Sequence, residues 1–241
     1  MSCSYSIIIP VFEETDALAF SNFYFNHHGL QPVYALDSKR ISRRAEVEKL
    51  LNRAVVVYDN PGNCIEASYQ NLAALSPTHW LLRVDCDEVP NPSMLDHCRR
   101  FVNRPTDAYC GFDRDDLMWR STYFERLKFA PFFVDTQFRL FDKTKVQFHN
   151  HIHTPGFYVP RWKLPFLPRW NAPRSARLYH LQRVFITPAQ RAEKLNRYNA
   201  AGQDQKFNSW LARPDESFKW RGFDDTAFTH IFATWKAQQD R

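Results

Sequence analysis

The run Trp80-Leu81-Leu82-Arg83-Val84 is apolar but for one arginine, and it ends abruptly in Asp85-Cys86-Asp87-Glu88. Side chains alternate across a strand, so a strand continued through this stretch puts Asp85 and Asp87 on one face and Cys86 on the other. Two carboxylates there are hard oxygen ligands, suited to Mg²⁺ or Mn²⁺ and to the substrate phosphates these ions accompany. In an open α/β sheet, ligands bind at the carboxyl ends of the strands. The simpler reading is an acidic turn that solvates a strand end.

A second cluster, Phe148-His149-Asn150-His151-Ile152-His153, sets three imidazoles on one face of an extended chain. Imidazole binds Mn²⁺ and Zn²⁺ well, although exposed histidines on a polar strand face give the same pattern. His153 stands directly before Thr154-Pro155-Gly156. Pro10-Val11-Phe12-Glu13-Glu14 and Asp37-Ser38 end two further β-rich runs, and parallel strands would bring both to the edge holding Asp85 and Asp87. A carboxylate there can accept hydrogen bonds from a base N–H or from ribose hydroxyls. Glu13, Glu14 and Asp37 could equally cap the helices that follow. There is no Gly-x-Gly-x-x-Gly and no Gly-Lys-Ser/Thr phosphate loop. A bound diphosphate would therefore need a metal and basic side chains.

The elements that must position these groups alternate between β-rich and helical patterns, as in a parallel sheet with crossover helices. Strands are expected at Tyr5 to Val11, Pro32 to Leu36, Val55 to Tyr58 and Trp80 onward. Helices are expected at Asp16 to His28, Ser42 to Arg53, Cys64 to Leu75 and Ser93 to Val102, Gly29 stopping the first and Pro92 opening the last. Ala108 to Phe112, Thr136 to Phe141 and Lys145 to His153 read as further strands. Five prolines between Pro155 and Pro173 argue against helix or central strand and for a long excursion. Thr187-Pro188 opens a helix, and amphipathic helices fill the remainder, including Thr226 to Gln238.

With 241 residues the chain can bury a sizeable core, either as one large domain or as a domain with an appendage. The expected division is a core over 1–155, a Pro-rich basic and aromatic loop over 156–180, and a helical extension over 181–241 packed on the same domain. Aromatics make up 16% of the residues, enough for stacking surfaces as well as core. A net charge of +6 favours anionic partners. No motif supports nucleic-acid binding, so none is expected. Five cysteines (3, 64, 86, 98, 110) without a Cys-x-x-Cys pair suggest free thiols in a reduced, cytoplasmic protein. No stretch reaches the ~18 apolar residues of a membrane span. The run Ile7-Ile8-Ile9 is too short and lacks the basic lead of a secretory signal.

Taken in order, Ser6 through Glu14, Asp37-Ser38, Asn71 in a helix, and Trp80 through Glu88 resemble the successive motifs of family 2 glycosyltransferases with the GT-A fold. Phe138-Arg139-Leu140-Phe141-Asp142-Lys143, followed by Ile152-His153, resembles that superfamily's "R-L-F-(R/D)-K … V-H-E" segment. His180 and the Lys194-x-x-x-Tyr198 spacing resemble the region after it, and the resemblance runs from about Ser4 to Tyr198. It implies an α/β fold of GT-A type, a mostly parallel central sheet flanked by helices, with a C-terminal helical extension. It implies that Asp37 contacts the nucleotide base, that Pro10, Phe12 and Glu13 line the nucleoside pocket, and that Asn71 belongs to the same site. Asp85 and Asp87 would hold the ribose and a divalent cation, Mn²⁺ or Mg²⁺, bridging the donor diphosphate. His153 would be a further ligand. Arg139 would position this segment or the phosphates, or contact the acceptor.

Two segments depart from the family pattern. The Gly and Asp expected after Asp37-Ser38 are Lys39-Arg40, and the Glu expected after His153 is Thr154. An inverting transfer needs a carboxylate or imidazole to deprotonate the acceptor hydroxyl. Asp135 and His151 are the candidates, with Asp113, Asp115 and Asp116 as weaker ones that read more simply as a solvated acidic turn. The implied activity is transfer of a sugar from a nucleotide-sugar donor to a glycan or lipid-linked acceptor. Trp162 and Trp170 would stack on acceptor rings, and the basic loop around them could touch an anionic membrane surface. The alternatives are a non-catalytic GT-A-like domain that binds nucleotide or glycan, suggested by Thr154, and a zinc hydrolase built on the histidine row.

Overall fold

Strand β1 (Tyr5–Val11) lies at the centre of the sheet, with Ile8, Ile9 and Val11 completely buried. Its run is apolar on both faces because helices cover both sides, as parallel sheets require. The structure, a computed structural model, describes residues 4–11, 14–62, 65–104, 106–128, 135–149, 157–159, 170–200 and 213–240. β2 (Val33–Asp37) and β4 (Trp80–Arg83) flank β1 in parallel, and β3 (Val56–Tyr58) lies outside β2. Between these strands run α1 (Thr15–His27), α2 (Arg44–Leu51) and α3 (Tyr69–Ala74). α1 buries Leu18, Phe20, Tyr24 and Phe25 and stops before Gly29, whose φ of +65° suits a residue without Cβ.

Beyond β4 the sheet turns antiparallel. β8 (Thr136–Asp142) pairs with β4, β6 (Tyr109–Arg120) with β8, β7 (Tyr123–Leu127) with β6, and β13 (Trp220–Gly222) with β7. β12 (Arg177–His180) lies parallel to β6 and antiparallel to β5 (Glu88–Pro90). α4 (Pro92–Phe101) starts from Asn91, whose side chain accepts a hydrogen bond from Met94 N at 2.8 Å. After β12 come α5 (Gln182–Phe185), α6 (Pro188–Ala200) and α7 (Thr226–Gln239). α7 packs on α1: the Phe20 ring lies 5.0 Å from Phe232 and 5.3 Å from Trp235. The α/β class, the parallel centre flanked by helices and the C-terminal helix agree with the sequence reading.

Four expectations change. The strand expected to run through Asp87 stops at Arg83, so alternation does not order Asp85 and Asp87. Asp113, Asp115 and Asp116 belong to the twelve-residue strand β6, with Asp115 and Asp116 buried, and are not a solvated turn. Arginines and a histidine satisfy them there, which an acidic run in isolation does not reveal. Within the described part of Lys145 to His153, only β9 (Gln147–Phe148) is strand. The Pro-rich segment joins the fold at both ends. β10 (Phe157–Tyr158) pairs with β9, β11 (Trp170–Asn171) pairs with β6, and β12 is buried.

Candidate functional site

β1 is the point at which the strand order reverses, since β2 and β3 lie on one side and β4 on the other. At such a switch point the two following loops leave in opposite directions and open a crevice. Val84 N donates to Ile8 O at 3.1 Å, the last rung between the two chains. By alternation the even residues of β1 turn their backbone toward β4. Pro10 therefore faces the side where β4 has already ended, and its missing N–H costs no ladder bond. Pro10 is buried and in register with Ala35.

The acidic motif is a four-residue turn in this crevice, closed by Glu88 N donating to Asp85 O at 3.0 Å. Arginines hold its carboxylates. Arg139 Nη2 donates to Asp85 Oδ2 at 2.8 Å and to Glu88 Oε1 at 2.5 Å, and Arg83 Nη2 donates to Asp85 Oδ2 at 3.2 Å. Arg114 adds a contact of 3.5 Å to Glu88 and a closer pair, 2.6 Å, with Asp135. Burial pushes Glu88 up to about 8, and the neighbouring Asp85 charge adds to this. Burial also raises Asp85, against the pull of Arg83.

His180 sits on the other side of the turn. Its Nε2 lies 3.4 Å from Asp87 Oδ2, and its Nδ1 is hydrogen-bonded to Asp116. Burial and the charge of Arg114 oppose protonation of this imidazole. Asp116 and Asp87 outweigh them and raise it to about 9. Burial likewise opposes ionisation of Asp87, but His180 and Lys194 hold that carboxylate far below the ordinary range. Leu181 N, directly after β12, also fixes the turn, donating to Asp87 O at 2.7 Å.

The other sequence-derived candidates fall in different places. Asp37 caps the turn after β2 by accepting from Lys39 N at 3.0 Å, and accepts from Asn60 Nδ2 at 3.1 Å. Asn71 gives its amide to Asp59 O at 2.7 Å and so holds the loop after β3. Asp135 precedes β8, where Arg114 and Gln137 bind both of its oxygens. Arg139 is buried against Asp85 and Glu88, which favours the positioning role over acceptor contact. His149 stacks on Tyr158 at 6.0 Å. The backbone of Trp170 pairs with Cys110. Phe12, Glu13, His151, His153 and Trp162 lie outside the described residues.

Sequence reasoning missed Arg83, Glu88 and Arg114 as parts of the site, and took Asp116 for a weaker base candidate in a solvated turn. A signal was present: a charged residue inside an apolar strand pattern is seldom buried without a partner. Arg83 within Trp-Leu-Leu-Arg-Val fits that rule, whereas Arg114 stands among the three acids of β6.

The two aspartates fit a hard divalent ion as a partial set. Asp85 Oδ1 is buried without a hydrogen bond of good geometry, its nearest cation being Arg83 Nη1 at 3.2 Å, and Mg²⁺ is often held by one or two carboxylates together with water and substrate phosphates. Among the described residues, no group of three or more His, Cys, Asp and Glu side chains converges as a complete cage.

No protein-family model matches the chain, and no curated protein matches its sequence. Among solved structures, it is similar to S. aureus TarS 1–349, with 9% identity and a TM-score of 0.42 over 87% of this chain and 69% of that one. The same protein in complex with UDP-GlcNAc gives 10% identity and a TM-score of 0.42, covering 87% of this chain and 70% of that one. HddC from Yersinia pseudotuberculosis gives 11% identity and 0.42, over 85% of this chain and 100% of that one. These are similarities of topology, and the ground for a function is the site itself.

Proposed function

We propose that the chain is a glycosyltransferase that moves a hexose from a nucleotide-diphosphate donor to a glycan or lipid-linked acceptor, with inversion. One observation carries this reading: the Asp85–Glu88 turn stands at the switch point between β1 and β4, the crevice where such sheets bind nucleotides. The nucleoside would lie over Pro10 toward Asp37, with Phe12 and Glu13 as further contacts. Asp85 and Asp87 would hold a divalent cation, with His153 as the further ligand the resemblance implies. A bound Mn²⁺ or Mg²⁺ would supply Lewis-acid charge for the departing diphosphate.

In the transfer, the acceptor hydroxyl oxygen bonds to the anomeric carbon while the bond from that carbon to the diphosphate oxygen breaks. The electron pair leaves with the nucleoside diphosphate, and the hydroxyl proton passes to a base, Asp135 or His151. Arg139, Arg83 and His180 would act through the aspartates, fixing the turn without touching the donor. A peripheral membrane contact through the basic segment fits a lipid-linked acceptor. Thr154, where the family pattern has Glu, keeps open a second reading in which the chain binds nucleotide or glycan without turnover.

The test is thermal stabilisation by nucleoside diphosphates and nucleotide sugars, with and without Mn²⁺. A ligand at a hundredfold excess over its Kd adds about 2.7 kcal/mol. A shift for one nucleotide that needs Mn²⁺ and vanishes in Asp87→Ala is expected. The same shift retained in folded Asp87→Ala would place the cation elsewhere. Binding without donor turnover would favour the second reading.

A further inference from the structure

Residues 38–53 carry six cations, Lys39, Arg40, Arg43, Arg44, Lys49 and Arg53, against two carboxylates, Glu46 and Glu48. Their net +4 is two-thirds of the +6 of the whole chain. This stretch folds as a 3-10 helix (Ser38–Arg43) running into α2, and the 3-10 helix touches both α2 and β3. β3 is the outermost strand on this side, so the three elements lie together at one end of the sheet. Apolar side chains are exposed at the same end. Among the described residues, five large hydrophobic side chains are exposed, and three of them are Ile41 at 50%, Val56 at 43% and Leu50 at 38%. Such residues need no explanation when scattered singly, but here they share touching elements with most of the net charge.

We propose that this end of the sheet docks on an anionic lipid bilayer, with the cations at the headgroups and Ile41 dipping between them. The contact would be peripheral, since no helix among the described residues is long and apolar enough to cross a membrane. Glu46 and Glu48 are each held within their own helix, by Arg43 and by Arg44 at 2.9 Å, and the positive excess is left for a partner. Each Lys or Arg near an anionic bilayer strengthens binding about fivefold. A bilayer fits better than a nucleic acid, because the exposed side chains are aliphatic: they gain from the acyl boundary and offer no stacking face to a base. A second copy of the chain would bring like charges together.

The placement bears on the reaction. Asp37 caps the 3-10 helix by accepting from Lys39 N at 3.0 Å, so the basic surface begins beside the place proposed for the nucleoside. A bilayer there brings lipid headgroups to the carboxyl edge of the sheet, where the acidic turn also stands. This narrows the acceptor of the transferase reading, on which it rests, to a lipid-linked one.

The test is flotation of the full chain with vesicles of phosphatidylcholine alone and with vesicles that also contain phosphatidylglycerol. Binding only to the anionic vesicles, weakened by salt, is expected. Lys39→Gln with Lys49→Gln should weaken it about 25-fold, fivefold for each charge. Ile41→Ser should weaken it about fivefold further. All three positions are exposed, so thermal melting should confirm folded variants. Equal binding to both vesicle types, no binding, or binding unchanged in the triple variant would overturn the proposal. So would a loss confined to Lys163→Gln with Arg169→Gln, which moves the contact to the Pro-rich segment. Tighter binding to an oligonucleotide than to anionic vesicles, lost in the same variants, would make the surface one for nucleic acid instead. Thermal shifts with nucleotide and Mn²⁺ separate this from the parent reading. A nucleotide shift without vesicle binding removes the docking surface alone. Vesicle binding by a chain that binds no nucleotide overturns its service to a lipid-linked acceptor.

Discussion

Arg139 reaches Asp85 at 2.8 Å across 54 positions of sequence, joining β8 to the turn after β4. The same nitrogen bonds Glu88, so one guanidinium holds both ends of the acidic motif. Removing one partner of a buried ion pair leaves an uncompensated charge, at about 3–5 kcal/mol. Arg139→Met should therefore destabilise the fold by that order in urea denaturation at about pH 9, where Glu88 is ionised. The double variant with Glu88→Gln should lose less, because one stranded charge is gone. Equal losses would mean that Glu88 is not the group Arg139 neutralises.

His180 gives the fold a pH dependence whose sign follows from its surroundings. Its folded pKa, near 9, exceeds the ordinary 6.5, so the folded state holds the proton more tightly. The stabilisation is fully present below pH 6.5 and is lost as pH rises through 9, at most of order 3 kcal/mol. Glu88, raised to about 8, acts in the same sense between its ordinary range and pH 8. Asp87 and Asp116, both depressed, act oppositely but only in acid. Denaturant midpoints should fall between pH 6.5 and 9.5, and His180→Asn should flatten that slope. A slope unchanged in folded His180→Asn would assign it to other groups.

The parallel half of the fold was legible because its strands are short, mostly apolar runs, such as Ile7 to Val11, separated by helical patterns with clear stops, such as Gly29 after the first helix. The candidate site was legible only as residue types. Asp85 and Asp87 stand out, but alternation misplaced them, since the chain turns immediately after Arg83. What fixes them comes from afar: Arg139 from β8, and His180 from a strand 93 positions after Asp87. Such partners are set by strand order, which local pattern does not encode. The acidic run in β6 misled for the same reason, because its partners, Arg177 and His180, arrive from β12.

Phe232 tests whether the C-terminal helix is part of the core. It is 1% exposed and meets Phe20 of α1, Trp119 of β6 and Phe124 of β7 at 4.9–5.0 Å. Truncating a buried phenylalanine typically costs about 3–5 kcal/mol. Phe232→Ala should lose that much and expose α7 to limited proteolysis before the rest of the chain. Loss of the whole fold at once would show α7 to be cooperative with the sheet, whereas no loss of stability would contradict the packing described.

Asp135 offers the sharpest division between positioning and chemistry. It precedes β8, which runs antiparallel to β4, so it lies toward the same edge as the acidic turn. Its oxygens accept from Arg114 Nε at 2.7 Å and Gln137 Nε2 at 2.6 Å, which orients the carboxylate. If Asp135 takes the acceptor proton, Asp135→Asn should lower kcat by about 10²–10⁴ while leaving the Mn²⁺-dependent nucleotide shift intact. Asp135→Glu should recover part of the rate, because it restores a carboxylate at a displaced position. An Asn variant with undiminished kcat would pass the role of base to His151. One that loses nucleotide binding as well would make Asp135 a support for Arg114, and through it for Glu88 and the turn.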